Sequence, residues 1–343
     1  MAQKPYHSDC IVNHARESMN TAVITGIASY LPKKILTNQD MATMVNTSDE
    51  WITSRTGIRQ RHVAAEDEFA STMGAEAARR VLRKVGADPV SIDFIIVSTM
   101  TPDYLCPSTA ALIQYEIGAK NAAAVDISAA CSGFVYGLAI CKGLVESGLY
   151  RNILLISTEK NTAFIDFTDR NTCVLFGDGA SACLIRKGGE GLAIRTTTLG
   201  ASGEGADLIH IKAGGSRHPT SSALCPDHYL KMNGKEVFKQ AVRRMEESVN
   251  ICLDKAGLKP SDLRWLIPHQ ANARIIDALA KRFDLPADRV AITIDKYANT
   301  SSSTIPIAIE FLQLSGQIAP KDLLLLTAVG GGLTWGSTIL EVV

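Results

Sequence analysis

The sequence predicts an α/β protein built from two copies of one strand–helix–strand–helix–strand unit. Three observations carry that expectation. Short apolar runs alternate with segments of helical periodicity, the pattern of a mostly parallel sheet covered by helices. The runs recur at a near-constant spacing: Leu266 lies 171 positions after Ile95, Asp295 169 after Asp126, and Leu323 170 after Ile153. Chance matches one such pair easily, whereas three at one spacing point to duplication. The chain, at 343 residues, is also long enough for two such units. The expected organisation is a polar extension over 1–20, a first half over 21–190 and a second over 191–343, related by a pseudo-two-fold axis.

Residues 21–30 (TAVITGIASY) read as the first strand, ended by Leu31 and Pro32. Helical patterns follow over 38–46 and 66–85. Residues 94–98 (FIIVS) form a short strand, then a proline-marked loop over 101–107 and a helix from about Ser108. The stretch 122–130 (AAAVDISAA) reads as a buried strand stopping at small residues, and a helix opens on Cys131 with Phe134, Leu138 and Cys141 on one face. Residues 152–157 (NILLIS) are the next strand. In the second half, strands are expected over 265–269, 290–295 and 322–327, with a helix over 273–283.

Composition excludes several function classes. The chain holds 35 basic and 35 acidic residues, a balance that gives no sign of a nucleic-acid partner. Residues 1–20 lack the apolar core of a secretion signal, and no run approaches the ~18 apolar residues of a membrane span. The eight cysteines show no CxxC pair and no metal-ligand spacing with histidine, so they read as reduced thiols of a cytoplasmic protein with no metal site.

Ligands of α/β sheets sit beyond the carboxyl ends of the strands, and those ends carry Cys131, His269 and Asn299. A thiol on the first turn of a helix is expected to have a lowered pKa, although most intracellular cysteines are small buried hydrophobes. His269 alone among seven histidines ends a core strand among polar residues. Asn299 falls within one residue of the repeat position matching Cys131, with a turn or cap asparagine as the bland alternative. Gly330, Gly331 and Gly332 follow a strand, as an oxyanion hole or a plain tight turn requires. Cysteine, histidine and asparagine serve a papain-like hydrolase or an acyl-transferring carbon–carbon condensing enzyme. The hydrolase signature around the cysteine is absent, and the duplicated plan favours condensation.

The segments TSDEWITSRTGIR (47–59), TDRNT (168–172), FGDG (176–179), HQAN (269–272), NTS (299–301) and GGGLTWG (330–336), with the Cys131 stretch, resemble the β-ketoacyl-[acyl-carrier-protein] synthase III family from about residue 21 to the C-terminus. That resemblance implies a thiolase-like fold layered α-β-α-β-α, homodimers, and condensation of a short acyl-CoA with malonyl-carrier protein through an acyl-cysteine, initiating fatty acid synthesis without a cofactor. A specialised acyltransferase of secondary metabolism on the same fold is the alternative, with a thioester hydrolase or an acyl-binding module further off. No cysteine follows Cys252, where thiolases use a second one, and Asn299 stands where elongating synthases have a second histidine.

By the same resemblance, the backbone N–H groups of Cys131 and Gly331 hold the oxyanion. Trp51 and Arg170 sandwich the adenine of CoA, Arg55 meets phosphate, and Phe176, Gly234, Phe238 and Asn272 line the pantetheine tunnel. Gln270, Ala271, Asn272, Ala273 and Arg274 dock the carrier protein together with Lys239, which recurs with Lys235 and Arg243 every four residues along a helix. A solvated helix face would look the same. The chain departs from the family pattern at Cys106 and Val329, where phenylalanine is common, so both are expected to enlarge the acyl pocket. It departs again at Tyr297-Ala298, in place of a frequent residue–glycine pair.

Overall fold

The computed structural model describes residues 21–219 and 225–343; the polar extension lies outside the described residues. The first half contains β1 (Ala22–Tyr30), a small antiparallel pair of β2 (Lys34–Thr37) and β3 (Gln60–Val63), α1 (Asn38–Met44), α2 (Asp49–Thr56) and α3 (Ala70–Val85). It continues through β4 (Phe94–Ser98), α4 (Thr109–Ile117), β5 (Ala123–Ile127), α5 (Gly133–Glu146), β6 (Asn152–Glu159), the short α6 (Arg170–Cys173) and β7 (Gly179–Lys187). The second half comprises β8 (Leu192–Ala201), the small pair β9 (Ile209–His210) and β10 (Lys231–Met232), α7 (Gly234–Ala256), β11 (Trp265–Pro268) and α8 (Ala273–Arg282). It closes with α9 (Ile294–Tyr297), α10 (Thr304–Leu314), β12 (Leu323–Gly330) and β13 (Thr334–Val342).

The long strands run in the order β11-β12-β13-β8-β1-β7-β6-β4-β5. β4 pairs in parallel with β5 and β6, and β11 with β12; the pairs nearer the middle are antiparallel. The halves meet where Val23 and Ile24 pair with Ala193 and Leu192. Helices α3 and α4 cover one half, α7 and α8 the other, and α5 and α10 lie between the two. This is the expected α-β-α-β-α layering. The middle layer explains why α5 and α10 are apolar all round: Phe134, Leu138, Cys141, Ile305 and Ile309 pack on strands of both halves.

The duplication holds for the pairing of β4 with β6 and of β11 with β12, but it differs from expectation in one place. Ile95 pairs Ala124 and Leu154, and 171 positions after Ile95, Leu266 pairs Leu325. Leu266 also bridges Val290, five positions short of the residue matching Ala124. The expected strand over 290–295 is therefore a single bridge at Val290, after which the chain turns into α9. Register returns at the turn that follows: Ala130 has φ 45° and Ser301, 171 positions on, has φ 54°. The residue matching Cys131 is thus Ser302, and Asn299 belongs to an extra turn that the first half lacks.

Strand β5 also departs from expectation. It is an open edge rather than a buried strand, with Val125 41% exposed. Its alanine-rich run is apolar because one face packs on α4, not because both faces are covered.

Candidate active site

Each site residue is placed by a local device. Gly133 opens α5 against β4, where any Cβ would fall 1.8 Å from the Ser98 hydroxyl, so only glycine lets the helix start there. Ala130, held at positive φ, turns Cys131 out of the strand line, a strained conformation of the kind found at nucleophile elbows. His269 follows β11, its N–H bonded to the Thr327 carbonyl at 2.8 Å. Asn299 is fixed through its Oδ1, which accepts the Ser301 N–H at 2.8 Å and leaves the carboxamide NH2 free to donate. Ser48 caps α2 by accepting the Trp51 N–H at 3.1 Å, and Asn272 caps α8 by accepting that of Arg274 at 2.9 Å.

Cys131, His269 and Asn299 all open onto one cavity of about 600 Å³. Met100, Phe176, Val329 and Gly331 share its walls, and so do Trp51, Arg55, Gly234, Phe238, Ala271 and Asn272. Gly330 lies where a Cβ would sit 2.7 Å from the Ala129 carbonyl and 2.8 Å from the Cys131 N, so the glycine run presses directly on the elbow.

The electrostatics differ from expectation. Burial, with a contribution from the Glu159 carboxylate, pushes the Cys131 thiol up to about 12, against a hydrogen bond with Ser301 that favours the thiolate. The expected lowering fails because the elbow faces a largely apolar cavity with a buried carboxylate behind it. Burial pushes His269 down to about 3, so its imidazole is neutral. Burial thus disfavours both charged forms of the thiolate–imidazolium couple that a papain-like hydrolase uses.

A family model described as 3-oxoacyl-[acyl-carrier-protein] synthase III matches residues 125–203, and the corresponding C-terminal model matches 253–342. The β-ketoacyl-[acyl-carrier-protein] synthase III of Chlamydia caviae is 50% identical over 95% of this chain and 98% of its own. The chain belongs to the β-ketoacyl-[acyl-carrier-protein] synthase III family. The synthase III of Caldanaerobacter subterraneus is 48% identical over 93% of this chain and 97% of its own. The crystal structure of 3-oxoacyl-[acyl-carrier-protein] synthase III from Aquifex aeolicus superposes with a TM-score of 0.87 at 44% identity, covering 94% of this chain and 99% of that one. As a member of the synthase III family the chain is an acyltransferase of thiolase fold.

In this chain, the guanidinium carbons of Arg170 and Arg55 lie 4.7 and 4.8 Å from the Trp51 ring centroid. Arg170, which also donates to the Asn46 carbonyl at 3.0 Å, stacks on the indole itself, so an adenine entering between them must displace it. Two expected site residues are elsewhere. Cys106 is exposed on the loop before α4 and does not line the cavity, leaving Val329 as the pocket departure that does. Gln270 is 1% exposed, its amide spent on the Pro268 and Ala291 carbonyls and the Thr293 N–H, so it holds the loop under His269 and cannot meet a docked protein. Arg274, Lys235, Lys239 and Arg243 are exposed.

Two residues escaped the sequence reading. Thr304 places its hydroxyl 2.6 Å from the His269 Nδ1. Glu159, fully buried at the end of β6, accepts hydrogen bonds from Thr101, Ser301, Ser302 and the Met100 N–H. A carboxylate ending an apolar strand (NILLISTE) was the signal available for the second.

Proposed function

We propose that this acyltransferase condenses a short acyl-CoA primer with malonyl-acyl carrier protein, giving a β-ketoacyl-carrier protein, carbon dioxide and CoA, and so initiates fatty acid synthesis. The observation that carries the reading is the meeting of Cys131, His269 and Asn299 on a single cavity whose walls also offer Trp51 and Arg55. Cys131 Sγ attacks the acyl thioester, CoA leaves, and an acyl-cysteine remains. The Cys131 and Gly331 N–H groups face the oxygen of the tetrahedral intermediate. Malonyl-carrier protein then loads, and its thioester oxygen takes hydrogen bonds from the Asn299 NH2 and the neutral His269 as enolate charge develops on loss of carbon dioxide. The enolate carbon attacks the acyl-cysteine and expels the sulfur. The thioester and the departing carbon dioxide supply the driving force, so the reading needs no metal or redox cofactor.

A neutral imidazole suits this role better than a charged one, because it donates without surrendering a proton to the enolate. The Thr304 hydroxyl can donate to the His269 Nδ1 at 2.6 Å or the Ser301 carbonyl at 3.1 Å. Donation to Nδ1 places the imidazole proton on Nε2.

The carrier protein would dock on the exposed face of Lys235, Lys239, Arg243 and Arg274 beside the cavity mouth, where acidic side chains meet four cations. A homodimer is the assembly this reading calls for. The open edge of β5 together with Tyr104, Leu105 and Tyr115, at 60%, 85% and 86% exposed, supplies the apolar face it would use. Among the described residues no helix is long and apolar enough to cross a membrane, in keeping with action in the cytoplasm.

Incubation with acetyl-CoA and malonyl-carrier protein tests the assignment. Acetoacetyl-carrier protein is expected; free acetate alone would indicate a hydrolase, and neither product a binding module. Repeating the assay over acyl-CoA lengths separates a fatty acid primer from the specialised substrates of a secondary-metabolism acyltransferase.

A further inference from the structure

Arg61, on β3, is 1% exposed and has the largest volume of the fully buried side chains among the described residues. None of its hydrogen-bond partners is a carboxylate. Nη1 donates to the Leu36 carbonyl at 3.3 Å and to the Asn38 Oδ1 at 3.0 Å, Nη2 donates to the Val174 carbonyl at 2.9 Å, and Nε has no partner. Burial pushes the guanidinium down to about 10, which leaves it charged at neutral pH. A buried cation without a counter-charge is a costly way to fill space, since an apolar side chain of similar size would fill it with less desolvation. What the guanidinium supplies is direction. Its rigid planar fork ties together segments that are far apart in the chain.

One end of the fork leads to α2. Asn38, 0% exposed, accepts from Arg61 and donates through Nδ2 to the Asp49 Oδ1 at 2.8 Å, the Ile58 carbonyl at 2.8 Å and the Thr53 Oγ1 at 3.3 Å. Asp49 and Thr53 belong to α2 and Ile58 follows its end, so Asn38 grips that helix on both sides of Trp51 in sequence. The other end leads to α6. Val174 is the residue that ends α6, so the bond to its carbonyl fixes the helix that carries Arg170. Ile52 and Ile58 pack α2 into the core, but apolar contact has no direction and leaves the helix free to settle. The polar chain from α2 through Asn38 and Arg61 to Val174 sets where the two helices stand relative to each other.

That relative placement is the geometry of a jaw. Trp51 stands on α2 and Arg170 on α6, and the Arg170 guanidinium carbon lies 4.7 Å from the Trp51 ring centroid. An indole faced by a guanidinium suits a planar aromatic base, and Arg55, 4.8 Å from the same ring, suits the phosphates attached to it. Trp51 and Arg55 line the cavity onto which Cys131 opens. We propose that Arg61 and Asn38 are positioning residues that set the spacing of the Trp51–Arg170 jaw, and through it how firmly the cavity holds the nucleotide end of CoA. The proposal rests on the acyl-CoA reading and deepens it. Neither residue touches the substrate; each acts through a helix.

Comparing CoA with pantetheine, which lacks the nucleotide, separates positioning from general damage. Calorimetry gives the affinity of the full chain for each, and needs no turnover. Three variants break the chain at different points: Arg61→Met, Asn38→Ala and Asp49→Ala. Asp49 is half-buried, so its variant guards against a loss of folding at the two buried positions. The three also differ in charge. The first removes a positive charge, the second none, and the third a negative one, which would by itself favour an anionic ligand. Each is expected to weaken CoA binding about 10-fold, the order of one stacking contact, and to leave pantetheine binding within about two-fold of the parent. Acylation of Cys131 should follow suit, with KM for acetyl-CoA raised, kcat kept, and acetyl-pantetheine unaffected. Equal losses for CoA and pantetheine would overturn the proposal, because the network would then support the fold alone. So would a loss confined to Arg61→Met, which would mark a charge effect. A parent that binds CoA no more tightly than pantetheine would overturn the acyl-CoA reading, and the proposal with it.

Discussion

The His269 Nδ1 and the Thr304 hydroxyl lie 2.6 Å apart, at the junction of β11 and α10, so the direction of this hydrogen bond and the tautomer of the imidazole are tied together. With Thr304 as donor, Nε2–H is available to an enolate oxygen. Thr304→Val keeps the shape and removes the donor. We expect malonyl decarboxylation to fall about 10- to 100-fold, as for loss of an oriented donor, while Cys131 acylation stays within a few-fold of the parent. Separate assays of carbon dioxide release and acyl-enzyme formation measure the two. An equal fall in both would mean that the threonine supports the fold rather than the tautomer.

Burying Glu159 has a thermodynamic consequence. Its pKa in the folded chain, about 7, is above the ordinary 4.5, so the folded state binds the proton more tightly. Stability from that proton is fully present below pH 4.5 and lost as pH rises through 7. The gap between Glu159→Gln and the parent should therefore swing in the variant's favour by about 3 kcal/mol from pH 4.5 to pH 8. Urea unfolding at the two pH values reads this directly, and a gap independent of pH would refute it.

Ala298 sits at φ 56°, ψ −159°, a region nearly confined to glycine, with its side chain 1% exposed. Its strain, of order 1–3 kcal/mol, outweighs the flexibility that glycine adds to the unfolded chain. Ala298→Gly should raise stability by about 1 kcal/mol, seen as a higher urea midpoint, with acylation retained. A lower midpoint would show that the buried methyl contributes more than the strain removes.

Gly330 and Gly143 offer a matched pair. A Cβ on Gly330 meets backbone on two sides, including the Cys131 N, whereas one on Gly143, within α5, meets nothing within 4 Å. Gly330→Ala should displace the elbow and reduce acyl-enzyme formation at least 100-fold, since misplacing a reacting group by about 1 Å costs that much. Gly143→Ala should raise stability by about 0.5–1 kcal/mol through helix propensity, with acylation unchanged. Mass spectrometry of the acyl-enzyme and a thermal melt read both variants.

What the sequence by itself determined is whatever depends on near neighbours along the chain. Apolar runs specify β4, β6, β11 and β12 to within a residue or two at their N-terminal ends, because alternate burial and helical spacing are local patterns. The same locality placed Cys131 and His269 beyond strand ends, whereas Asn299 follows a short helix in place of the expected strand, and the spacing of the runs exposed the duplication. Tertiary structure alone decided the protonation states and the partners. Glu159 meets Ser301 across 142 positions, and Gln270 and Thr304 take up their buried bonds only once β11, α9 and α10 are packed together. Desolvation is a property of the closed interior, so it reversed the expected shift of the Cys131 thiol without changing one residue near it. Edges are likewise set in space: β5 is open and Val290 keeps only a bridge because of what lies beside them in the sheet, not because of their own residues.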